Sequence, residues 1–184
     1  MFVRLFPTSL SGAWLIELEP ISDTRGFFAR TFCEREFAAF GLETRFVQHS
    51  TSSSTAKGTL RGMHFQSDPC SEVKIVACQK GSIFDVIVDL RPASSSYRRW
   101  EGFELSARNR RRLYIPRGLA HGFQTLSADA EVGYLISEFF APEAACGVRY
   151  DDPAFGIKWP VPVSSISNKD KRWPDYTAKR NVRR

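Results

Sequence analysis

Short runs rich in Val, Ile, Phe and Tyr recur along the chain at intervals of roughly 8–12 residues, which is the spacing of a β-sandwich or β-barrel. Glycine and proline interrupt these runs, for example at Lys80-Gly81 and Arg91-Pro92. We therefore predict an all-β fold. Its predicted strands cover residues 13–18, 27–32, 45–48, 59–66, 72–79, 82–90, 99–105, 112–115, 122–126 and 131–137.

Three segments depart from the strand pattern. A short helix is predicted over residues 34–40, because Phe37 and Phe40 lie three positions apart and share one helix face. The Ser/Thr-rich segment 50–55 is predicted to form a surface or pocket-lining loop. Residues 142–184 are interrupted by proline and glycine, which predicts an irregular segment with small helical turns that wraps the barrel.

The 184 residues, of which 42% are hydrophobic, suit a single globular domain over residues 1–184. No segment approaches the roughly 20 apolar residues that span a bilayer, and Arg4 and Pro7 interrupt the N-terminal run, so neither a membrane span nor a signal peptide is expected. The four cysteines form no C-x-x-C pair. We therefore expect a cytoplasmic protein that has no membrane partner.

The net charge of +6 favours anionic ligands. Basic residues concentrate in segments 108–117 and 179–184. The first segment surrounds the apolar run Leu113-Tyr114-Ile115, which is typical of a strand, and the chain has no nucleic-acid-binding motif. A solvated basic face explains the charge, and nucleic acid is not an expected partner.

The three histidines are His49, His64 and His121. His64 lies with Arg61 in an otherwise apolar strand, where either side chain needs a partner if it is buried. A hydrogen-bonded core histidine is one interpretation, and a site residue is the other. Strict alternation places Arg61 and His64 on opposite faces, so both can line one pocket only if a bulge at Gly62 shifts the register.

A carboxylate among aliphatic side chains marks the predicted strand 82–90. Alternation places Asp85 on one face with Ile83 and Ile87. A buried carboxylate needs a cationic or hydrogen-bonding partner, and Lys74 on a neighbouring candidate strand can supply one. Lys74 can equally face an anionic ligand or solvent.

Metal binding deserves a separate test, because Pro116-Arg117-Gly118-Leu119-Ala120-His121 looks like the second half of the metal signature of many cupin barrels. The first half would supply closely spaced histidines and a glutamate, whereas here Phe65 and Gln66 follow His64. Too few ligands are evident for a typical site, so no metal is expected. A three-histidine iron site is the alternative.

Several further segments, spread over nearly the whole chain, are specific in combination although each is weak alone. They are Asp23-Thr24-Arg25-Gly26-Phe27-Phe28, Leu60-Arg61-Gly62-Met63-His64-Phe65-Gln66, Phe84-Asp85-Val86-Ile87-Val88-Asp89-Leu90-Arg91, Tyr114-Ile115-Pro116-Arg117-Gly118-Leu119-Ala120-His121-Gly122-Phe123, Glu131-Val132-Gly133-Tyr134, Asp151-Asp152-Pro153 and Ser167-Asn168-Lys169-Asp170. In this order they resemble the dTDP-4-dehydrorhamnose 3,5-epimerases. The resemblance implies a cupin-like jelly roll, or double-stranded β-helix, that works without a cofactor.

The resemblance implies a catalytic set. His64 would be the general base, Asp170 would hold its ring, Tyr134 would be the general acid and Lys74 would stabilise the enolate oxygen. The chemistry is coherent, since a C4 ketone acidifies the hydrogens at C3 and C5 and a neutral imidazole can remove one of them. The strand pattern alone also fits a core tyrosine at position 134.

The resemblance further implies contacts with a nucleotide-diphosphate sugar. Arg25 and Arg61 would contact the diphosphate, which suits the fixed fork of a guanidinium, although structural ion pairing is the alternative. The other residues implied to line the substrate site are Phe28, Gln48, His121, Phe140 and Lys169.

Departures from the family pattern gather at the nucleotide end. Arg30 stands where the family has Glu, and Ser50 stands where it has Asn. Phe140 replaces a tyrosine that would stack on the base, and Ala145 replaces a later Glu. These changes suggest altered specificity, with a CDP- or GDP-linked 4-keto sugar as a hypothesis, although Phe140 can still stack and dTDP stays possible.

The sequence leaves other functions open. They are a monofunctional 3- or 5-epimerase, a metal-dependent cupin oxygenase or isomerase, and a non-catalytic protein that binds nucleotide sugars. A homodimer is implied by the resemblance. The basic, Phe-rich N-terminal segment would cover an exposed sheet edge of the neighbouring subunit.

Overall fold

The computed structural model describes residues 2–177. These residues form an antiparallel β structure with two short helices, which confirms the predicted all-β class. The strands are β1 (Val3–Pro7), β2 (Trp14–Leu18), β3 (Ile21–Asp23), β4 (Gly26–Phe28), β5 (Gln48–Ser54), β6 (Thr59–Gln66), β7 (Lys74–Lys80), β8 (Ser82–Asp89), β9 (Trp100–Ser106), β10 (Arg112–Ile115), β11 (Leu119–Thr125), β12 (Ala130–Ile136), β13 (Ala145–Gly147) and β14 (Ser165–Ile166), and the helices are α1 (Glu34–Ala39) and α2 (Asn168–Lys171).

Two sheets pack face to face as the layers of a jelly roll. The first has the strand order β1-β2-β10-β7-β12-β5, and the second has the order β13-β6-β11-β8-β9 with β14 beside β6. Val76 and Leu113 of the first sheet and Ile87 and Phe123 of the second are buried together between them. Burial of these side chains stabilises the sandwich, at roughly 1.5–3 kcal/mol for each large one.

Strand β8 follows the predicted alternation. Ile83 and Ile87 lie in the core between the sheets. Val86 and Val88 point to the other side, where they are buried with Phe155 and other residues of the C-terminal segment. That segment therefore covers the outer face of the second sheet. Residues 178–184 of the predicted wrapping segment lie outside the described residues.

The outer face of the first sheet is covered in part by α1 and its flanking loops. Phe37 is buried there against Ile16, Ile75 and Tyr114. The predicted helix 34–40 is confirmed with its end one residue earlier. No helix within residues 2–177 has the length and apolar character that crossing a bilayer requires.

The strand boundaries were wrong in the first third of the chain. The predicted strand 27–32 ends at Phe28, and the predicted strand 45–48 only begins at Gln48. Residues 50–55 were predicted as a loop, but residues through Ser54 belong to β5, which pairs with β12. Serine and threonine hide this strand, since hydroxyls replace the alternating apolar side chains that mark other strands.

Strand β1 was not predicted, and it pairs with β2 of its own chain. The N-terminal segment thus extends the chain's own sheet. Pro7 ends the strand, a position that tolerates the missing N–H group.

Candidate active site

A cavity of about 670 Å³ opens between the two sheets. The first sheet contributes Lys74 and Tyr134 to its wall, the second contributes His64 and His121, and the C-terminal segment contributes Asp170. Side chains from five separate parts of the chain therefore meet in one space.

A bulge in β6 brings Arg61 and His64 to the same cavity. His64 pairs with His121 across the sheet and Arg61 pairs with Phe123, so β6 spans this interval with one more residue than β11. Gly62 permits the close approach, because a Cβ atom there would lie 2.5 Å from the Cα atom of Gly122, and its φ of 136° is strained for other residues. The predicted bulge is confirmed, and Arg61 and His64 both line the cavity.

His64 forms a dyad with Asp170. Its Nε2 lies 2.6 Å from Oδ1 of Asp170, whose own position is fixed because its N–H donates to Oγ of Ser167 at 3.0 Å. Burial alone raises the pKa of Asp170, but hydrogen bonds from His64 and from the Gly62 N–H outweigh it, and the net pKa is lowered. The ionised carboxylate accepts the Nε2 proton, which leaves Nδ1 as the basic atom of the imidazole.

Tyr134 lies on the opposite sheet from His64. Its hydroxyl is hydrogen-bonded to Oγ of Ser52 at 3.1 Å, and its ring lies 6.3 Å from that of His121. Burial raises the pKa of Tyr134 to about 12. The phenol is therefore protonated near neutral pH and can donate a proton.

Lys74 also reaches the cavity, and its ion-pair partner is Glu72. Nζ lies 2.6 Å from Oε1 of Glu72 and 3.5 Å from the carbonyl oxygen of His64. Oε2 of Glu72 accepts the N–H of Gln66 at 3.0 Å, which fixes the carboxylate. Sequence reasoning missed Glu72, although its position two residues before Lys74 in the predicted strand 72–79 was a signal.

Asp85 is paired with His121 and not with Lys74, which corrects the partner proposed from the sequence. Nε2 of His121 lies 2.7 Å from Oδ1 of Asp85. Burial raises the pKa of Asp85, and Oδ2 has no hydrogen-bond partner among the described residues. A second His–Asp pair thus stands beside the first, since His121 and His64 are directly opposite on paired strands.

Several residues predicted to bind substrate lie in or beside the cavity. Lys169 and Ser50 line it, together with Arg61. Arg61 is held in place because Nε donates to Oγ of Ser54 at 3.1 Å. The side-chain oxygen of Gln48 accepts the N–H of Phe140 at 2.8 Å, and Phe140 is 64% exposed.

Other predicted residues are not brought to the cavity of this chain. Arg25 and Phe28 belong to the β3–β4 hairpin, where the Arg25 side chain is 88% exposed and pairs with Asp23 at 2.6 Å. Phe28 is 70% exposed. Arg30 forms an ion pair with Glu36 at 2.9 Å. Ala145 pairs with Gln66 in β13 and does not line the cavity wall.

Residues 2–177 hold no group of three or more His, Cys, Asp and Glu side chains arranged to bind a metal ion. Both cavity histidines instead use one ring nitrogen for a carboxylate.

A family model described as dTDP-4-dehydrorhamnose 3,5-epimerase matches residues 7–178. The chain belongs to the dTDP-4-dehydrorhamnose 3,5-epimerase family. The resemblance inferred from the sequence is confirmed, and with it the assignment to the isomerases. A dTDP-4-dehydrorhamnose 3,5-epimerase of Methanothermobacter thermautotrophicus is 46% identical over 173 residues, which cover 92% of each chain.

Solved structures of the family share the fold. The dTDP-4-dehydrorhamnose 3,5-epimerase of Bacillus anthracis, with TDP and PPi bound, has a TM-score of 0.92 at 36% identity and covers 95% of this chain and 100% of its own. A 3'-monoepimerase of Streptomyces bikiniensis in complex with dTDP-quinovose has a TM-score of 0.85 at 34% identity and covers 92% of this chain and 86% of its own. The cupin-like jelly roll is therefore confirmed. These relatives include both a 3,5-epimerase, which acts at two carbons of the sugar, and a monoepimerase, which acts at one.

Proposed function

We propose that the protein epimerises a nucleotide-linked 4-keto-6-deoxy sugar at C3, C5 or both, with His64 as base and Tyr134 as acid. The observation that carries the proposal is the placement of a carboxylate-bound imidazole and a protonated phenol on facing sheets of one cavity. Inversion requires a base on one side of the ring carbon and an acid on the other, and the positions of His64 and Tyr134 on facing sheets support that assignment.

The reaction begins when Nδ1 of His64 removes a proton next to the C4 ketone. The C–H electron pair forms a double bond to C4, and the negative charge moves to the C4 oxygen as an enolate. Asp170 stabilises the imidazolium that forms. Tyr134 then protonates the same carbon from the other side, and the enolate returns to the ketone. The His64 imidazolium releases its proton to water and the Tyr134 phenolate takes one from water, which restores both groups. Each proton-transfer group contributes roughly 10²- to 10⁴-fold to the rate.

Lys74 supports the enolate in this proposal. Its ammonium is held by Glu72 and the His64 carbonyl group, so it is fixed before the negative charge develops. A donor that is already oriented stabilises the developing charge without reorganising during the reaction. His121, held by Asp85, lies beside Tyr134 and is suited to a hydroxyl group of the sugar.

The nucleotide end of the site is completed by a second copy of the chain in this proposal. Arg61 and Lys169 supply cations for the diphosphate from within the chain. Arg25 and Phe28, by contrast, lie exposed on a hairpin outside the cavity. A homodimer in which each hairpin reaches the other chain's cavity would bring Arg25 and Phe28 to the ligand.

The cytoplasmic location stays a prediction.

The nucleotide of the substrate is proposed to differ from, or extend beyond, dTDP because of Arg30, Ser50, Phe140 and Ala145. Side-by-side binding measurements with dTDP, CDP, GDP and UDP test this point. A clear preference for dTDP contradicts the altered-base hypothesis and leaves the epimerase chemistry untouched.

Solvent deuterium exchange tests the function itself. The enzyme is incubated in D2O with 4-keto-6-deoxyhexoses linked to each of the four nucleotides, and label at C3 and C5 is read by mass spectrometry and NMR. We expect label at one or both carbons together with inverted product, whereas Tyr134→Phe exchanges without inverting. Label confined to one carbon identifies a monofunctional epimerase, and no label with any sugar contradicts the proposal.

A further inference from the structure

The inner face of β5 carries a row of hydroxyl groups. Ser50, Ser52 and Ser54 alternate along the strand and point toward the cavity side. Ser54 holds Arg61 through a hydrogen bond of 3.1 Å. Ser52 is the member that reaches Tyr134, and the reaction proposed above gives it no role.

The contact between Ser52 and Tyr134 is fixed by strand register. Ser52 is paired with Val132 on β12, so Tyr134, two residues further along, is its diagonal neighbour on the same face. Their oxygens are 3.1 Å apart, and either hydroxyl can donate while the phenol is neutral. Both side chains line the cavity.

The roles of the two hydroxyls become unequal once Tyr134 gives up its proton. When the Tyr134 O–H bond breaks and the proton forms a C–H bond at the sugar, the electron pair stays on the phenolate oxygen. A phenolate only accepts hydrogen bonds, so Ser52 must then donate. Hydrogen bonds to a charged acceptor are roughly twice as strong as neutral ones, so the contact tightens as the reaction proceeds.

We infer that Ser52 is a positioning residue for the acid step: it aims the Tyr134 hydroxyl at the sugar and donates its own hydrogen to the phenolate that forms. The inference deepens the proposed function and rests on it. Because Ser52 acts through Tyr134, it affects inversion of the carbon and leaves proton removal by His64 almost unchanged.

The charge near the phenol comes from several elements. Burial has the largest effect and raises the pKa of Tyr134; the hydrogen bond from Ser52 and the charge of Arg61 on β6 lower it, whereas Asp85 on β8 raises it further. His121 on β11, His64 on β6 and Lys74 on β7 line the same cavity. Removing the Ser52 hydroxyl leaves all these groups in place, so its effect can be separated from theirs.

The test compares exchange with inversion in Ser52→Ala. In D2O with the substrate sugar, we expect inversion to fall about 10- to 100-fold, as for loss of a hydrogen bond to a charged group, while label still enters recovered substrate within about threefold of the wild-type rate. Ser52→Thr keeps the hydroxyl and should restore inversion. Thr51→Ala, on the outer face of the same strand, is the matched control and should change neither rate.

In this comparison, unchanged inversion in Ser52→Ala overturns the inference, and so do two other results. One is an equal fall of exchange and inversion in Ser52→Ala, which indicates a general loosening of the cavity. The other is a fall in Tyr134→Phe exchange when Ser52→Ala is added, since a residue that acts only through the phenol has no further effect there.

A spectroscopic measurement separates this inference from the proposed function. In protein labelled with fluorotyrosine, the Tyr134 resonance is identified by its loss in Tyr134→Phe, and we expect it to ionise at higher pH in Ser52→Ala than in Ser52→Thr. Unchanged ionisation overturns the inference. A wild-type enzyme that labels no sugar overturns the proposed function and the positioning role of Ser52 in it, while this titration still reports the contact between Ser52 and Tyr134.

Discussion

The chemical end and the nucleotide end of the site are built in different ways. His64, Asp170 and Tyr134 are locked inside one chain by hydrogen bonds of 2.6–3.1 Å. Arg25 and Phe28 are instead 88% and 70% exposed on a hairpin outside the cavity. Under the proposed function, one chain therefore organises the groups for proton transfer before substrate arrives, and the proposed homodimer brings Arg25 and Phe28 to the nucleotide.

The largest expected effect is the loss of the base in His64→Asn. Without an imidazole neither exchange nor inversion can begin, so both should fall on the order of 10²- to 10⁴-fold. His49→Asn, on the exposed outer side of β5, is the matched control and should keep wild-type rates. Exchange at the wild-type rate in His64→Asn would show that His64 is not the base, and the contrast between the two ends of the site would then fail.

The next effect concerns the hairpin. Arg25→Ala should weaken binding of the nucleotide sugar about 10- to 100-fold, as for loss of hydrogen bonds to a charged group, with kcat at saturating substrate nearly unchanged. The measurement is KM against kcat in the deuterium assay. Asp23→Asn, which removes the hairpin partner of Arg25 and keeps the guanidinium, is the control.

Mixing two variants that are each impaired at low substrate concentration tests whether the hairpin acts across subunits. Coexpressed His64→Asn and Arg25→Ala chains give mixed dimers in which one cavity has both residues intact. Random pairing of chains then restores about a quarter of the wild-type sites at low substrate concentration, because half of the dimers are mixed and each has one good site. Absence of any recovery indicates that Arg25 serves its own chain or no site at all.

The sequence predicted the strands whose pattern comes from burial. Ile83 and Ile87 alternate with Val86 and Val88 in β8 because one set faces the core and the other the C-terminal segment. The bulge at Gly62 was also predictable, since two polar side chains three residues apart can share a cavity only if the register shifts.

The partner of Asp85 was not predictable from local pattern, because it depends on strand order. β8 pairs with β11 and β9, and Phe123 lies directly opposite Asp85, so His121 is its diagonal neighbour in the same sheet. Lys74 belongs to the facing sheet and forms an ion pair with Glu72, two residues earlier in the chain. Likewise, β5 was missed because its serines face a polar cavity, which removes the hydrophobic signal of a strand.

A smaller effect is expected from Arg30→Glu. The present arginine pairs with Glu36, whose other oxygen accepts the N–H of Val3 at 2.8 Å. Reversing the charge frees the end of the hairpin from Glu36 and should change the ratio of dTDP to CDP, GDP and UDP affinities by roughly fivefold. Arg30→Gln controls for loss of the ion pair. Identical affinity ratios in wild type, Arg30→Glu and Arg30→Gln would show that position 30 does not contribute to nucleotide recognition.

The smallest effect compares acid stability at the two ends. Burial raises the pKa of Asp170, but the hydrogen bonds from His64 and Gly62 lower it by a larger amount. The pKa of Asp170 is therefore lower in the folded protein than in the unfolded chain. Its stabilisation, about 1 kcal/mol, is then present above the ordinary carboxyl range near pH 4 and is lost as pH falls through the lower folded value. In denaturant unfolding, the difference in free energy of unfolding between wild type and Asp170→Asn should therefore shrink as the pH is lowered from 6 to 3. Asp23→Asn should match wild type throughout, because the Arg25 guanidinium lowers the pKa of Asp23 only in an exposed pair that solvent screens. A pH-dependent loss at Asp23 as large as that at Asp170 would mean that the hairpin is as firmly held within its own chain as the dyad.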